Sequence, residues 1–308
     1  MRWQVVVNPA AGRGRTARAL PRLRRLFADH GATRVHVAES LPDAVAVGRE
    51  AAAAGCGLVA CGGDGTVAAL AGVAAETGVE LAIVPTGAGN DFARSLGIRR
   101  PHDAVLLLED GAGRARLDLG RAGPCWFTSV ANAGFDAAAN RWANGARRLR
   151  GTPLYLAAMA RTLFVHRPGR FRLLLDETEP WELRAWLVAV GNTSTYAGGM
   201  RIAPSADPAD GRLDLTVVDG SGTRAQLVAN LPRVFRGTHV HHPLVHQARA
   251  RRVRIEAPDD PDADLWAAGE RVGPLPVTVE VVPRAVVVRV PPGGGPAHRP
   301  DGTGLSGR

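Results

Sequence analysis

Residues 58–67 read LVACGGDGTV and residues 83–98 read IVPTGAGNDFARSLGI, and these two stretches decide the fold. Each is an apolar run that breaks into glycines and resumes as a helical pattern. Gly62, Gly63 and Gly65 can take backbone angles closed to other residues and let a ligand approach the main chain. A helix beginning near Thr66 offers unpaired N–H groups and the positive end of its dipole, so a polyphosphate fits such a place. Asp-Gly is also a strong hairpin signal, which gives GGDGT a competing reading as a plain strand-to-strand turn. The Ala-rich VAALAGVAAE that follows is helical in character and favours strand, loop, helix.

Outward from these loops, the first hundred or so residues alternate strand and helix. Strand patterns fall at 3–7, 34–38, 57–61 and 81–84, and helical patterns at 15–29, 42–54, 66–76 and 90–96. That alternation predicts a parallel sheet covered by helices, with ligands beyond the carboxyl ends of the strands. NPAAGRG (8–14), GGDGT and PTGAGND all fall at that edge.

From about Ala115 the pattern changes to short strands broken by Gly, Pro and Asp: RARLDLG, CWFTSVANAGF, FRLLLD, LRAWLVAVGN, GRLDLTVVDG, ARRVRIEA, PVTVEVVP and AVVVRVP. This spacing predicts a β sandwich or barrel, with helical interruptions at 137–164 and 225–235. The closing residues are rich in Gly and Pro and read as a disordered tail. The expected fold class is α/β: an N-terminal parallel-sheet nucleotide-binding domain over 1–114, a β-sandwich domain over 115–292, and a tail over 293–308.

With 308 residues, 45% hydrophobic and 22% charged, the chain has room for two domains and an ordinary globular core. No apolar run reaches membrane-spanning length, and MRWQVVVNPA enters a strand pattern without a signal segment, so a cytoplasmic protein is expected. Cys56, Cys61 and Cys125 lack metal-ligand spacing and read as small buried hydrophobes. The six tryptophans read as core and domain-interface residues, with Trp142 a candidate for a lipid headgroup. The chain has no lysine, so all 38 basic residues are arginine and the net charge is +9. Arginine grips phosphate in bidentate fashion, which suits an anionic nucleotide or an anionic membrane surface. No nucleic-acid module accompanies the charge, so no nucleic-acid partner is expected. The densest cluster, RWANGARRLR at 141–150, reads as a solvated helix face or as a contact for phosphate or lipid headgroups. His239, His241, His242 and His246 invite a metal reading, but Pro243 interrupts any helix that would align them and no cysteine is near. An exposed loop or a substrate-side contact is the alternative.

The N-P-x-x-G loop, GGDGT and P-x-G-x-x-N-D-F-A-R, in this order and ahead of a β-rich half, resemble the catalytic family of diacylglycerol kinases, which includes bacterial lipid kinases and sphingosine kinases. The resemblance continues through NAGFD (132–136), VGNTSTYAGGMRIAPSADPADGRLDL (190–215) and AGE (268–270). It implies ATP bound between the two domains and transfer of its γ-phosphoryl group to a lipid hydroxyl such as that of diacylglycerol. Carried over by position, Asn8, Gly12, Gly62, Gly63, Asp64, Gly65, Thr66, Gly87, Asn90 and Asp91 would hold the nucleotide. Asp64 would also stand near its phosphates and metal, and Glu270 would serve as the base. Asp207, Asp210 and Arg212 match a Mg²⁺ site, though Asp210-Gly211 by itself also reads as a turn. The implied partners are nucleotide, a lipid substrate and a peripheral anionic membrane surface, with monomer or homodimer left open.

The chain departs from that family's pattern at several places. The D-G-E element appears as Ala268-Gly269-Glu270, and Ala38, Ala68, Ala69 and Ala88 stand where hydroxyl or other polar side chains are usual. Each change removes a group able to bond phosphate, metal or a neighbouring loop. A catalytically weakened relative that binds nucleotide or lipid as an accessory protein, or a kinase for a soluble alcohol, is the competing reading.

Overall fold

The computed structural model of the chain describes residues 2–30, 32–135, 137–138, 162, 165–293 and 295. The first half runs β1 (Trp3–Val7), α1 (Ala11–Asp29), β2 (Ala32–Val37), α2 (Leu41–Ala53), β3 (Gly57–Gly62), α3 (Asp64–Thr77), β4 (Glu80–Pro85), α4 (Asp91–Ser95) and α5 (Pro101–Val105). The strands pair in parallel in the order β2-β1-β3-β4. Every residue of β1 and β3 is buried, as expected of parallel strands covered on both faces. Helix starts and stops follow the sequence. Ser40 accepts the N–H of Asp43 at the head of α2, and left-handed Gly78 ends α3.

The second half is antiparallel: β5 (Gly113–Ala122), β6 (Cys125–Phe127), β7 (Val130–Gly134), β8 (Gly169–Leu175), β9 (Trp181–Gly191), β10 (Leu213–Asp219), then α6 (Arg224–Arg236). It continues with β11 (Val245–Ala250), β12 (Arg252–Glu256), β13 (Asp264–Ala267), β14 (Glu270–Pro274) and β15 (Val277–Val290). The two halves share one hydrogen-bonded network, ordered β14-β13-β7-β9-β8-β12-β15-β4-β3-β1-β2 with the other strands branching from it. Strand β15 is the join. It runs antiparallel to β12 and β5 and, at Val287 opposite Glu80, parallel to β4. Its last turn outward places Val286, Val288 and Val290 in the core of the parallel half, while Val279 and Val281 lie in the core of the antiparallel half. The same join is charged: fully buried Arg289 places Nε 2.7 Å from Glu80, whose other oxygen meets Arg114, and its guanidinium lies over Trp3.

Several expectations are met and several revised. Helix α3 begins at Asp64, two residues earlier than expected, because Gly63 is extended and caps it. GGDGT is therefore a strand-to-helix loop and not a hairpin. CWFTSVANAGF divides into β6 and β7, and the two closing strand patterns are a single β15, bent at Arg284 with φ 53°. The β13–β14 hairpin and β11 were not anticipated. Of the cysteines only Cys61 is buried, where desolvation pushes its thiol up to about 12, whereas Cys56 and Cys125 are partly exposed. Trp3, Trp186 and Trp266 are core residues. The arginine cluster at 141–150 with Trp142, most of the 137–164 interruption and nearly all of the tail lie outside the described residues. Among those described, no helix is long and apolar enough to cross a membrane.

Candidate functional site

Three loops meet at the carboxyl edge of the parallel strands, and side chains lock each to the next. Asn8, after β1, donates from Nδ2 to Thr66 Oγ1 at 3.0 Å and accepts the N–H of Ala10 at 3.0 Å. Asp64, at the first turn of α3, accepts the backbone N–H of Asn90 at 2.8 Å and of Asp91 at 2.7 Å, one on each carboxylate oxygen. Asn90, left-handed at φ 54°, closes the second glycine loop on itself, its Oδ1 taking the Gly87 N–H at 2.9 Å and its Nδ2 reaching the Gly87 carbonyl at 3.0 Å. Arg15 ties the first loop to the second, donating to the Gly12 and Gly87 carbonyls at 3.0 Å each.

Two glycines here are required by contact. A Cβ on Gly87 would lie 2.4 Å from Gly63 Cα, and a Cβ on Gly12, which sits at φ +59°, would lie 2.3 Å from the Thr86 carbonyl oxygen. The result is a dense backbone floor under the open first-turn N–H groups of α3, which together with the helix dipole favour an anion. Asn8, Gly12, Gly62, Gly63, Asp64, Gly65, Thr66, Gly87, Asn90 and Asp91 are thus gathered in one place.

The two carboxylates in this floor are held by different partners. Asp91 is buried and bonds Arg94 at 2.6 Å and the Gly198 N–H at 2.9 Å, the latter from the antiparallel half. Burial, and then the negative charge of Asp91, raise the pKa of Asp64, against the pull of the backbone N–H bonds it accepts.

Across from Gly65 stands the β13–β14 hairpin. Its two-residue turn, Ala268-Gly269, has φ 51° and 82°, the positive pair of a type I′ turn. The Ala268 carbonyl oxygen lies 3.8 Å from where a Gly65 Cβ would sit. Between hairpin and helices is a cavity of about 260 Å³, bordered by Leu41, Val45, Gly65, Ala69, Pro124 and Glu270. The exposed Glu270 lies at its rim, and partial desolvation raises its carboxyl pKa. A larger hollow of about 680 Å³ opens beside Trp3, Gln4 and His36, at the amino ends of β1 and β2. It touches none of the glycine loops, and ligands of such sheets bind at the other end.

Asp207, Asp210 and Arg212 lie apart from this floor, in the turn before β10. Asp210 accepts the Arg212 N–H at 3.0 Å and pairs through its other oxygen with Arg249, which also bonds Asp214 at 3.3 Å. Asp207 accepts the Ala209 N–H at 3.0 Å, and its pKa is raised by burial first and by the charges of Asp210 and Asp118 after it. No group of three or more His, Cys, Asp or Glu side chains is placed to hold a metal ion among the described residues. The carboxylates of this turn are engaged with protein donors and do not make a fitting Mg²⁺ site on their own.

Two organising residues carried no signal in the sequence. Arg15 is one arginine of an arginine-rich run. Asp118, in the middle of β5, accepts the N–H groups of Gly211 at 2.6 Å and Arg284 at 2.7 Å, and both partners are distant in sequence. The histidines divide: His239 is buried with Nε2 3.2 Å from the Ile202 carbonyl, and His246 stands 3.4 Å from Asp219.

The chain matches the family model described as "Diacylglycerol kinase catalytic domain" over residues 2–122 and that described as "YegS C-terminal NAD kinase beta sandwich-like domain" over 129–290. It is 35% identical over 301 residues to a "Diacylglycerol kinase" of Mycobacterium tuberculosis, covering 93% of this chain and 94% of that protein. To a "Probable lipid kinase YegS-like" of Pseudomonas aeruginosa it is 33% identical over 257 residues, covering 82% of each. Among solved structures, one described as a putative diacylglycerol kinase from Bacillus anthracis superposes with a TM-score of 0.77 at 24% identity, covering 95% of this chain and 98% of that one.

Proposed function

We propose, from the premise that this chain belongs to the diacylglycerol kinase catalytic-domain family, that it is an ATP-dependent kinase transferring the γ-phosphoryl group to a lipid hydroxyl such as that of diacylglycerol. The observation that carries the reading is the junction at Gly65, where an anion-favouring helix start passes directly into an apolar cavity with a carboxylate at its rim. A nucleotide has that order of parts. Its phosphates lie over the N–H groups at the head of α3, and its base and sugar enter the cavity.

Phosphoryl transfer asks mainly for positioning and charge neutralisation, and for a group to take the hydroxyl proton. Glu270 takes that proton as the acceptor oxygen bonds to the γ-phosphorus and the bond to the bridging oxygen breaks, releasing ADP. A partly desolvated carboxylate with a raised pKa is a better base than one in open water. Asp64 and Asp91 hold the two glycine loops in register beneath the phosphates, and Arg15 adds a positive charge close to Gly12 and Gly87. Mg²⁺ bound with the nucleotide would supply charge neutralisation at the phosphates. The protein acts in the cytoplasm, at the inner face of the membrane that holds its acceptor.

A second reading, a nucleotide-binding relative of low turnover, is favoured by one observation. The hairpin facing Gly65 offers a methyl group at Ala268 where the family pattern has a carboxylate. Purified protein incubated with labelled ATP and a panel of diacylglycerol, sphingoid and soluble alcohol acceptors separates the two. Lipid phosphorylation supports the kinase. A thermal shift on Mg-ATP without any transfer supports the binding protein.

A further inference from the structure

Helix α6 is made to form, yet none of its residues is fully buried. Thr223 and Gln226 make a reciprocal capping box at its head, and left-handed Gly237 closes its end. A helix of this length draws its stability mainly from packing one apolar face. Val234 does turn inward, onto the cluster of Leu187, Ile202 and Ala203. Val228, Leu231 and Phe235 do not: at 100° per residue they form a second stripe roughly 95° further round the helix. They are 54%, 39% and 52% exposed. A row of large apolar groups held open to water marks an interaction face.

Charge identifies the partner. Residues 220–255 contain seven arginines and four histidines and no Asp or Glu. Some of these arginines are neutralised elsewhere, Arg249 on Asp210 and Asp214, Arg252 near Glu280 and Arg254 on Glu256. Arg233 bonds Asn230 on its own helix, and neither it nor Arg236 has a carboxylate partner among the described residues. A second copy of the chain would bring the same positive segment against itself, whereas an anionic lipid surface complements both the charge and the apolar stripe.

The helix is also one step from the candidate site. The Val234 carbonyl accepts the N–H of Arg201 at 3.1 Å. The same segment, a few residues earlier, donates the Gly198 N–H to Asp91 and passes Gly199 beside Arg94. We infer that α6 is a membrane-docking helix, which lays Val228, Leu231 and Phe235 into the headgroup boundary of an anionic bilayer and so brings the cleft floored by Asp64 and Asp91 to its lipid acceptor. The role of the bilayer as acceptor source rests on the lipid-kinase reading; the docking itself does not.

The test is co-sedimentation of the full chain, without ATP, with vesicles of phosphatidylcholine alone or with 30 mol% phosphatidylglycerol. The parent protein is expected to bind the anionic vesicles and to lose affinity as salt rises. Leu231→Gln with Phe235→Ser should weaken binding by on the order of a hundredfold, since each removes a side chain whose burial is worth about tenfold or more. Arg233→Gln with Arg236→Gln should weaken it by about fivefold per charge. Circular dichroism and thermal melting establish that the variants fold, and phosphorylation of a short-chain dispersed acceptor should be unchanged in them. Absence of parent binding, or binding that ignores both pairs of substitutions, overturns the assignment. So does a concentration-dependent dimer that Phe235→Ser abolishes. Docking without phosphorylation of any lipid leaves α6 as a membrane helix and defeats the kinase reading; phosphorylation with vesicle binding untouched by the substitutions does the reverse.

Discussion

The backbone N–H of Asp91 donates to Asp64 Oδ1 at 2.7 Å, so two acidic residues that each look like site ligands in the sequence are, in the fold, one joint between two loops. Asp64 thereby fixes where the second glycine loop lies, and Asp91 passes the connection on to Gly198 in the antiparallel half.

Asp64→Asn replaces one acceptor oxygen with an NH₂ that faces an N–H. Leaving such a donor unpaired costs about 1–3 kcal/mol, which should appear as a lower urea midpoint. Nucleotide-induced thermal stabilisation should be lost with it. A variant as stable as the parent and with normal turnover would remove Asp64 from both roles.

Gly87→Ala and Gly63→Ala test the floor by direct comparison. The Gly87 Cβ would meet backbone at 2.4 Å, where nothing can rotate away, while the Gly63 Cβ would meet Gly87 Cα at 3.4 Å, an ordinary contact. Gly87→Ala should destabilise by about 1–3 kcal/mol and abolish the thermal shift on Mg-ATP, with Gly63→Ala much milder. Equal effects in the two melts would show that the loops are not packed this closely.

Ala268 holds φ 51° in a turn that suits Asp, Asn or Gly better. Ala268→Gly and Ala268→Asp should therefore both raise stability, by about 1 kcal/mol, readable as a higher melting temperature. Only Ala268→Asp restores a carboxylate. A rise in turnover confined to Ala268→Asp would assign a chemical part to that group, while a rise shared with Ala268→Gly would assign it to the turn.

Glu270→Gln should lower kcat by on the order of a hundredfold or more if Glu270 takes the acceptor proton. In the weakened-relative reading the parent shows little transfer and the substitution hardly matters. A fast parent unaffected by it would send the search for a base elsewhere.

Asp214 supplies a pH signature. Burial lifts its carboxyl from 3.8 to about 6, more than the Arg249 charge and hydrogen bond lower it. A carboxyl with a raised folded pKa binds its proton more tightly in the folded state. Its contribution is therefore fully present below pH 3.8, the unfolded value, and is lost progressively as pH rises from there through about 6. The difference in unfolding free energy between parent and Asp214→Asn should change by about 3 kcal/mol across that window, the parent losing ground toward neutral pH. A pH-independent difference in urea melts would contradict the burial of this charge.

The parallel half was legible because its strands are apolar runs that end in glycines, and both signals are local. The β13–β14 hairpin was not, since its strands are short, follow the acidic PDDPDAD, and turn on Ala-Gly instead of Asn-Gly or Asp-Gly. At the site the glycine loops were legible from the order of apolar run, glycines and helical pattern. That Asp64 and Asn90 are fastening groups was not, because a carboxylate reads the same whether it meets a ligand or the next loop's N–H. Asp118 and Arg15 carry no mark at all, as their partners are fixed only once the fold brings distant backbone beside them.

Strand β4 obtains its outer neighbour from residues 287 and 288, and Glu80 its buried countercharge from Arg289. Synthesis runs from the amino end, so a ribosome that has delivered the whole parallel half still has some two hundred residues to make before that edge can close. Through this interval β4 stands as an open template for any passing strand, and the nascent chain has most need of a chaperone's cover. A ribosome-bound chain arrested at residue 270 should be cut by protease within the parallel half, and one extended past residue 290 and clear of the exit tunnel should resist it. Strand β15, far along the chain, is the clasp that completes the parallel half.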